Sequence, residues 1–374
     1  MFRILRMPSE SIWQDPVLSE RLTRYRAICK GKKIARFLIA KKTPVIGLDD
    51  SENNFEKIWL KHKEVRHDFN SLVKDCDKGN VILNDIESPE ISFLDLKAKI
   101  ADKIIENCHF CERRCYVNRK AGETGICKLG VKSVVSSAFL HVGEEPPLVP
   151  SGTIFFASCV FKCVFCQNHD ISQDWNKDNI NIKGNEVDSS RLVAIQQKLI
   201  SEGAININWV GGDPIPNVHN IIQSLQTLDN NIVQLWNSNM YLTQESMNLL
   251  VDIMDFWLPD LKFRDNAFAK RMSGVNNYWE TVIRNIKFAY TEGSGEIIIR
   301  HLCMPNRIEK DTYPILDWVK DEVPLAFVNI MDQYRPEYRV HRNEYKDINR
   351  RVTTTEMQLA RHHADKNGIA WRQV

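Results

Sequence analysis

The sequence predicts an α/β protein whose sheet is built from parallel β–α units, preceded by a mainly helical extension. Two observations predict the fold. From Thr153 onward short apolar runs alternate six times with amphipathic stretches, and residues 1–103 carry helical spacing. Strands separated by single helices pair in parallel through crossover connections. A third observation concerns chemistry. Seven of the ten cysteines fall between Cys108 and Cys166, in two tight clusters. A secreted disulfide framework would spread its cysteines through a short chain, so the clusters favour metal binding in a reducing compartment.

The 374 residues suffice for one large domain with an extension. A 43% hydrophobic and 26% charged composition is that of a soluble globular protein, and the net charge of +2 names no partner. No apolar run approaches the ~18 residues that span a bilayer. The stretch Met1–Pro8 is too short and broken for a secretory signal. A cytoplasmic location without a membrane partner is expected.

Four segments follow: a helical extension at 1–103, a four-cysteine segment at 104–130, an α/β body at 131–340, and a helical tail at 341–374. Arg21–Lys42 contains nine Lys or Arg and no acid. Such a run can bind nucleic acid. Leu22, Tyr25, Ile28 and Cys29 repeat at helical spacing, which favours a helix with a basic solvated face. No aromatic-rich RNA-binding signature accompanies it, so no nucleic-acid partner is expected. Asn53–Asp75 reads as a second helix, with Phe55, Ile58, Trp59 and Val65 among charges. Phe93–Asn107 reads as a third, delivering the chain into Cys108.

Cys108-His-Phe-Cys111-Glu-Arg-Arg-Cys115 opens the first cluster, and Cys127 follows. Gly122 and Gly125 suit the turns that bring Cys127 back to the other three. Four cysteines close a zinc site or hold an auxiliary iron–sulfur cluster, and sequence does not choose between them. Arg113 and Arg114 are placed to favour thiolates. His109 is a possible further donor, more simply a flanking polar residue. Val134–Ala138 reads as a short strand. Glu144-Glu145-Pro146-Pro147 reads as a rigid acidic link with no assigned role.

Strands are expected at 153–157, 205–210, 232–237, 256–261, 296–302 and 325–330. Helices are expected at 190–202, 215–228, 243–253, 277–291, 311–320 and 354–366. In parallel barrels the active site lies at the strand C-terminal ends. The notable residues follow strands: Cys159, Cys163 and Cys166, spaced C-x3-C-x2-C; Gly211-Gly212-Asp213-Pro214; Asn237; Asp260 and Lys262; His301 with Cys303. Three thiolates in one loop can hold a corner of a four-iron cluster and leave one iron open.

That cysteine spacing, with Phe165 just before Cys166 and a Gly-Gly-Asp-Pro motif after the next strand, resembles the radical S-adenosylmethionine (SAM) superfamily, whose motif has Glu where this chain has Asp213. The four-cysteine segment and the D-x-K at Asp260–Lys262 are similar to a subgroup related to pyruvate formate-lyase activating enzyme. The resemblance covers about residues 93–340. It implies a partial (β/α)6 radical-SAM barrel with a helical N-terminal extension and a four-cysteine metal segment. It also implies an oxidoreductase-type enzyme with a [4Fe-4S] cluster on Cys159, Cys163 and Cys166 that cleaves SAM reductively. The resulting 5′-deoxyadenosyl radical abstracts hydrogen from a substrate, a protein or a small molecule, and a ferredoxin or flavodoxin supplies the electron.

By the same resemblance Gly211, Gly212 and Asp213 face the SAM ammonium, Lys262 its carboxylate, Asn237 its ribose or methionine part, and Phe165 the adenine. Activating enzymes also carry a cofactor-contacting His after the last strand, and the stretch from Asn329 to Pro336 has none. His301 and Cys303 share one strand face, either toward the cavity or, more simply, buried in packing. The rival reading is a non-enzymatic metal protein that binds nucleic acid through residues 21–42. It leaves the Gly211 motif and the six β–α units without a purpose.

Overall fold

The computed structural model describes residues 10–48, 52–173 and 183–372. Met1–Pro8, considered above as a signal, lies outside them. The strands are β1 (Ser133–His141), β2 (Ser151–Phe156), β3 (Asn185–Val187), β4 (Asn206–Gly211), β5 (Val233–Ser238), β6 (Phe256–Pro259), β7 (Ile298–Leu302), β8 (Phe327–Met331) and β9 (Trp371–Arg372). They form one sheet in the order β3-β1-β2-β4-β5-β6 and a second in the order β7-β8-β9. From β2 to β6 and from β7 to β9 neighbours pair in parallel. Two parallel bridges, Trp257 to Ile297 and Asp260 to Arg300, join the sheets. β2, β4, β5, β6, β7 and β8 therefore curve into the expected six-stranded partial barrel. β5 and β6 are buried along their whole length, as strands covered on both faces are.

β1 runs through nine residues, longer than expected, and pairs antiparallel with both β2 and β3. β3 and β9 were not expected. Three and two residues are too few to show a period, and only pairing defines them.

The helices are α1 (Pro16–Arg21), α2 (Thr23–Cys29), α3 (Arg36–Lys42), α4 (Phe55–Lys78), α5 (Phe93–Ile104), α6 (His169–Ser172), α7 (Ser189–Ser201), α8 (Val218–Thr227), α9 (Gln244–Leu250), α10 (Asn266–Ser273), α11 (Tyr278–Glu292), α12 (Tyr313–Glu322) and α13 (Thr354–Lys366). Local chemistry sets their ends. Asn54 caps α4 through its side chain, and Ser92 with Asp95 forms a capping box on α5. α10 went unforeseen between β6 and β7; Asp265 caps its start.

The basic run does not form a solvated face. Arg24 and Arg36 are buried. The Arg24 guanidinium donates to Asp255 at 3.0 Å and to Asp77 at 3.0 Å. The backbone N–H groups of Arg24 and Tyr25 both donate to Glu296, each at 2.6 Å. Arg21 reaches the Ala326 carbonyl at 3.0 Å, and the Ala35 N–H donates to Asn231 at 2.8 Å. Asn231, Asp255, Glu296 and Ala326 all lie just before the strands β5 to β8. The extension thus caps the N-terminal end of the barrel, opposite the cysteines. Its charges neutralise carboxylates that the strand starts bury.

A second buried cluster fastens α4 and α5 to the barrel wall. Asp252, fully buried after α9, accepts from Lys97 at 2.7 Å and from Arg66 at 2.9 Å. Lys97 also sits 2.8 Å from the ring of His62, which burial and the neighbouring Lys97 charge hold well below its usual range. Burial works to raise the Asp252 pKa, but Lys97, Arg66 and Arg36 bring it down to about 2.

Replacing Asp252 by Ala leaves Lys97 buried without a counter-charge and is expected to cost about 3–5 kcal/mol, read as a lower urea midpoint. The wild-type contribution of Asp252 is present above its unfolded pKa, about 4. It is lost as pH falls through its folded value of about 2. Acid titration of wild type against Asp252→Asn checks the sign: the difference in stability narrows below pH ~4.

Candidate active site

β2 ends at Phe156, and the chain turns at Ser158, whose φ is +76°. The Ser158 N–H donates to the Ile171 carbonyl at 2.8 Å, and its hydroxyl to the Cys127 carbonyl at 2.7 Å. The loop Cys159–Cys166 is then pinned from outside. Lys162 and Val164 donate backbone N–H groups to Ser273 and Met272 at the end of α10, each at 2.9 Å. The Arg339 N–H returns to the Val164 carbonyl at 2.9 Å. The unforeseen α10 is therefore the rail on which the cysteine loop rests.

Each sulfur of the triad has a polar neighbour. Cys159 Sγ accepts the Phe161 N–H at 3.3 Å, Cys163 Sγ lies 3.1 Å from Ser273 Oγ, and Cys166 Sγ lies 3.2 Å from Ser172 Oγ. Burial pushes the Cys163 thiol up to about 12 and raises Cys159 well above the usual range. A bound cation reverses this, because a coordinating thiol deprotonates.

The three cysteines share one cavity of about 280 Å3 with Gly211, Gly212 and Asp213. Phe165, Asn237 and Lys262 line it as well. The structure thus brings the triad and every residue expected at SAM into one place at the C-terminal ends of the strands.

The two glycines answer a steric demand of the sheet itself. A Cβ on Gly211 would stand 2.2 Å from the Phe156 backbone, and one on Gly212 2.0 Å from the Ser158 carbonyl oxygen. Gly211 also has a φ of +124°, closed to most side chains. The pair exists so that β4 can close against β2, whose backbone leads into Cys159. Asp213 is held within the protein: it accepts from the Ile215 N–H at 2.9 Å, from Ser238 at 3.4 Å and from the Asn239 side chain. Burial pushes its pKa up to about 7, with the Ile215 N–H pulling the other way. Lys262 pairs with Asp260 at 2.6 Å, and this carboxylate keeps the amine charged against burial. Phe165 packs edge-on to Phe263 at 6.1 Å while facing the cavity.

Asn237 accepts from Arg300 at 3.4 Å, but among the described residues its buried amide nitrogen has no partner. A buried donor of this kind calls for a ligand acceptor, and the surrounding carboxylate, lysine and aromatic wall suit the amino, carboxylate and adenine groups of SAM. His301 and Cys303 face away from the cavity. The His301 ring bonds the Leu261 carbonyl at 2.8 Å and Thr312 at 2.9 Å, and Cys303 is buried beside Thr312. The alternate residues Arg300 and Leu302 face in.

Sequence reasoning missed several side chains. Asn239 lies just past the end of β5, and its amide stands 3.8 Å from Cys159 Sγ. Ser172 and Ser273 gave no signal, since only folding brings them to the sulfurs. Glu144 and Glu145 enter the barrel and grip Arg300, Glu145 in a two-pronged pair at 2.7 Å on both oxygens. Asn208 and Asn329 hold the two glutamates at 3.1 and 2.9 Å.

The first cysteine set also converges: Cys108, Cys111, Cys115 and Cys127 surround a single void. Arg113 and Arg114 do not face it. Arg113 donates to the Val160 carbonyl at 3.0 Å, and Arg114 pairs with Glu112 at 2.8 Å. The cation there is Arg119, 3.8 Å from Cys108 Sγ. His109 turns to the Asn107 carbonyl at 2.6 Å. Among the described residues no three His, Cys, Asp or Glu side chains already stand in coordination geometry. This holds for the triad and for the first set alike.

The Radical SAM superfamily profile matches residues 153–319, the span from the first barrel strand to α12. Residues 153–319 thus form a radical SAM domain, and such a domain implies a [4Fe-4S] cluster and SAM-dependent radical chemistry. A relative that spans nearly the whole chain is the uncharacterized protein MJ0674 of Methanocaldococcus jannaschii, 43% identical over 352 residues, or 93% of this chain and 98% of that protein. The uncharacterized protein MJ0808 of the same organism is 24% identical over 271 residues, 65% of this chain and 76% of its own length. Among solved structures, a domain of pyruvate-formate lyase-activating enzyme from Bacteroides vulgatus is similar with a TM-score of 0.37 and 16% identity, over 45% of this chain and 98% of that one. Streptococcus suis SuiB bound to S-adenosylmethionine gives 0.42 and 13%, over 58% of this chain and 48% of its own. Overlaps that slight carry no weight beside the sequence match. Among the described residues no helix is long and apolar enough to cross a membrane.

Two outcomes test the geometry. Gly212→Ala forces a Cβ onto the Ser158 carbonyl, so the protein is expected to fold with the cysteine loop displaced and to incorporate less iron on anaerobic reconstitution. Ser273→Ala removes a donor near Cys163 Sγ. Hydrogen bonds to cluster sulfurs set the potential, and losing one disfavours the more negative reduced state. Potentiometric titration should find a lower potential than in wild type.

Proposed function

We propose that the chain is an activating-enzyme-like radical SAM enzyme in which Cys159, Cys163 and Cys166 hold the cluster and Gly211, Gly212, Asp213, Asn237, Lys262 and Phe165 hold SAM. The single observation that carries this reading is the shared cavity, which joins the three thiols to an acid, a lysine, an amide and an aromatic ring. With cluster and SAM bound, the chemistry supplied is reductive cleavage to methionine and a 5′-deoxyadenosyl radical that takes a hydrogen atom from the substrate. The protein's own residues position and shield the reactants.

Lys262 offers a cation to the methionine carboxylate, with Asp260 fixing its direction. Asp213 retains lone pairs for the ammonium although its oxygens already accept internal bonds, and Asn239 holds the carboxylate in place. The Asn237 amide donates to the ligand. Phe165, backed by Phe263 and Tyr334, gives the adenine an apolar wall. The cavity volume lies at the small end of ligand pockets. Cluster and cofactor together leave little enclosed space, which supports a substrate that presents its hydrogen at the mouth, as a protein loop does. A cytoplasmic ferredoxin or flavodoxin fits as electron donor.

The decisive experiment is anaerobic reconstitution followed by a strong reductant. Wild type is expected to release 5′-deoxyadenosine, and the Cys159/Cys163/Cys166→Ala triple variant none; release by the triple variant overturns the proposal. Lys262→Met loses a charge-assisted contact worth about 1.5–3 kcal/mol. It should keep the cluster absorbance and raise the SAM dissociation constant roughly ten- to a hundredfold. Unchanged affinity in an anaerobic titration removes Lys262 from the site.

A further inference from the structure

We propose that Cys108, Cys111, Cys115 and Cys127 bind one Zn2+ ion, and that this ion fastens three loops of the cofactor rim. The second half rests on the cofactor reading above; the first does not. The void between the four thiols is about 20 Å3, against about 280 Å3 for the cofactor cavity in the same measure. Some 10–15 Å3 holds one water, so the void takes one ion. Zinc needs no more, with four thiolates at about 2.3 Å. A four-iron cluster would place eight iron and sulfide atoms inside the same ring.

The chain around the void draws the four cysteines together. Cys108 and Tyr116 close a narrow turn: the Cys108 N–H donates to the Val117 carbonyl at 2.9 Å and the Tyr116 N–H to the Cys108 carbonyl at 3.0 Å. That brings Cys115 beside Cys108. Position 125 must be glycine, because a Cβ there would stand 2.7 Å from Cys115 Sγ. Arg114, Tyr116 and Lys128 take left-handed conformations at φ +43°, +54° and +59°. Such unfavourable backbone persists where something over-determines it, and a metal bridging the neighbouring cysteines supplies that constraint.

The remaining walls are apolar, among them Phe110, Val117, Ile126 and Val160. Four protein ligands fill a tetrahedral zinc site and leave no open position for catalysis, with Cys115 and Ile126 reaching the surface. Arg119 is buried, bonded to the Gly130 and Pro216 carbonyls at 2.9 and 2.8 Å, and offsets the negative charge of a four-thiolate zinc centre.

The neighbours of this segment are the cofactor loops themselves. Ser158, just before Cys159, donates to the Cys127 carbonyl at 2.7 Å, and Arg113 holds the Val160 carbonyl at 3.0 Å. Ile215 and Pro216, just after Asp213, wall the void. The loop after Asn239 is held by the Glu112 N–H on the Tyr241 carbonyl at 3.1 Å and by the Thr243 N–H on the Phe110 carbonyl at 3.2 Å. One ion therefore fixes the frame on which the cysteine, Asp213 and Asn239 loops meet.

The test uses the full chain purified anaerobically from zinc-containing medium. About one zinc per chain is expected in wild type and in the Cys159/Cys163/Cys166→Ala variant, with iron lost only in the latter. Cobalt exchanged into that triple variant should show thiolate charge transfer and tetrahedral d–d absorption. Cys111→Ser with Cys127→Ser should lose the zinc, keep the iron of the triad, and bind SAM about tenfold or more weakly, since misplaced loops cost that much. Iron and sulfide remaining in the triple variant overturns the zinc assignment. So does folded wild type with neither zinc nor a cobalt spectrum. Zinc loss with unchanged SAM affinity and unchanged cluster resonance overturns the fastening. The zinc and cobalt measurements need no change in the four-cysteine segment, so they decide the site even where the double variant does not fold. A chain that holds zinc but releases no 5′-deoxyadenosine refutes the enzymatic reading and leaves the zinc site standing.

Discussion

At the top of the sheet the backbones of β2 and β4 approach more closely than any side chain at positions 211 and 212 would permit. The Gly212 N–H donates to the Phe156 carbonyl at 2.7 Å, and the next residues on either side are Asp213 and the turn into Cys159. The rest of the site depends on this contact. It sets the distance between the thiol loop and the carboxylate loop, and it does so with backbone, the stiffest material available. The same contact continues the ladder that pairs Ser151–Phe156 with Asn206–Gly211. The geometry of the site is thus an extension of sheet register.

Beside the cavity the barrel buries a charged network. Arg300 faces two buried glutamates, and burial, which alone would lower its pKa, is outweighed by Glu145 and Glu144. Burial likewise works to raise Glu144, yet Arg300 and His141 hold it at about 2. Taking three charges out of water is expensive, and an apolar plug of equal volume would be no less stable. What the network provides is direction. Arg300 is braced on one side by carboxylates and presents its remaining edge to Asn237 at the cavity floor.

Charge placement also explains the largest difference between expectation and structure. The run Arg21–Lys42 has the composition of a solvated or nucleic-acid-binding face, and the structure spends it on the barrel's closed end. The acids it meets, Asp77, Asp255 and Glu296, are scattered over more than two hundred residues of sequence. Nothing local marks them as its partners, so the run could be read only by composition. The arginines near the first cysteines misled for the same reason: Arg113 and Arg114 are adjacent in sequence and point elsewhere, whereas Arg119 arrives by a turn.

Sequence by itself determined the alternation of strands and helices, the end of the barrel that carries the chemistry, and the cysteine, glycine and lysine positions gathered there. Those features are local: apolar period, motif spacing and position after a strand. Only the tertiary structure decided which neighbours complete the site. Asn239, Ser172, Ser273, Arg300 and the adjacent Glu144 and Glu145 reach it from five separate places. The faces that His301 and Arg300 present depend on strand pairing, since a strand's period gives alternation without saying which side is in. The four cysteines of the first set were legible as one cluster from spacing. Their joint void, its small volume and its contact with three cofactor loops were not, because each is a distance across the fold.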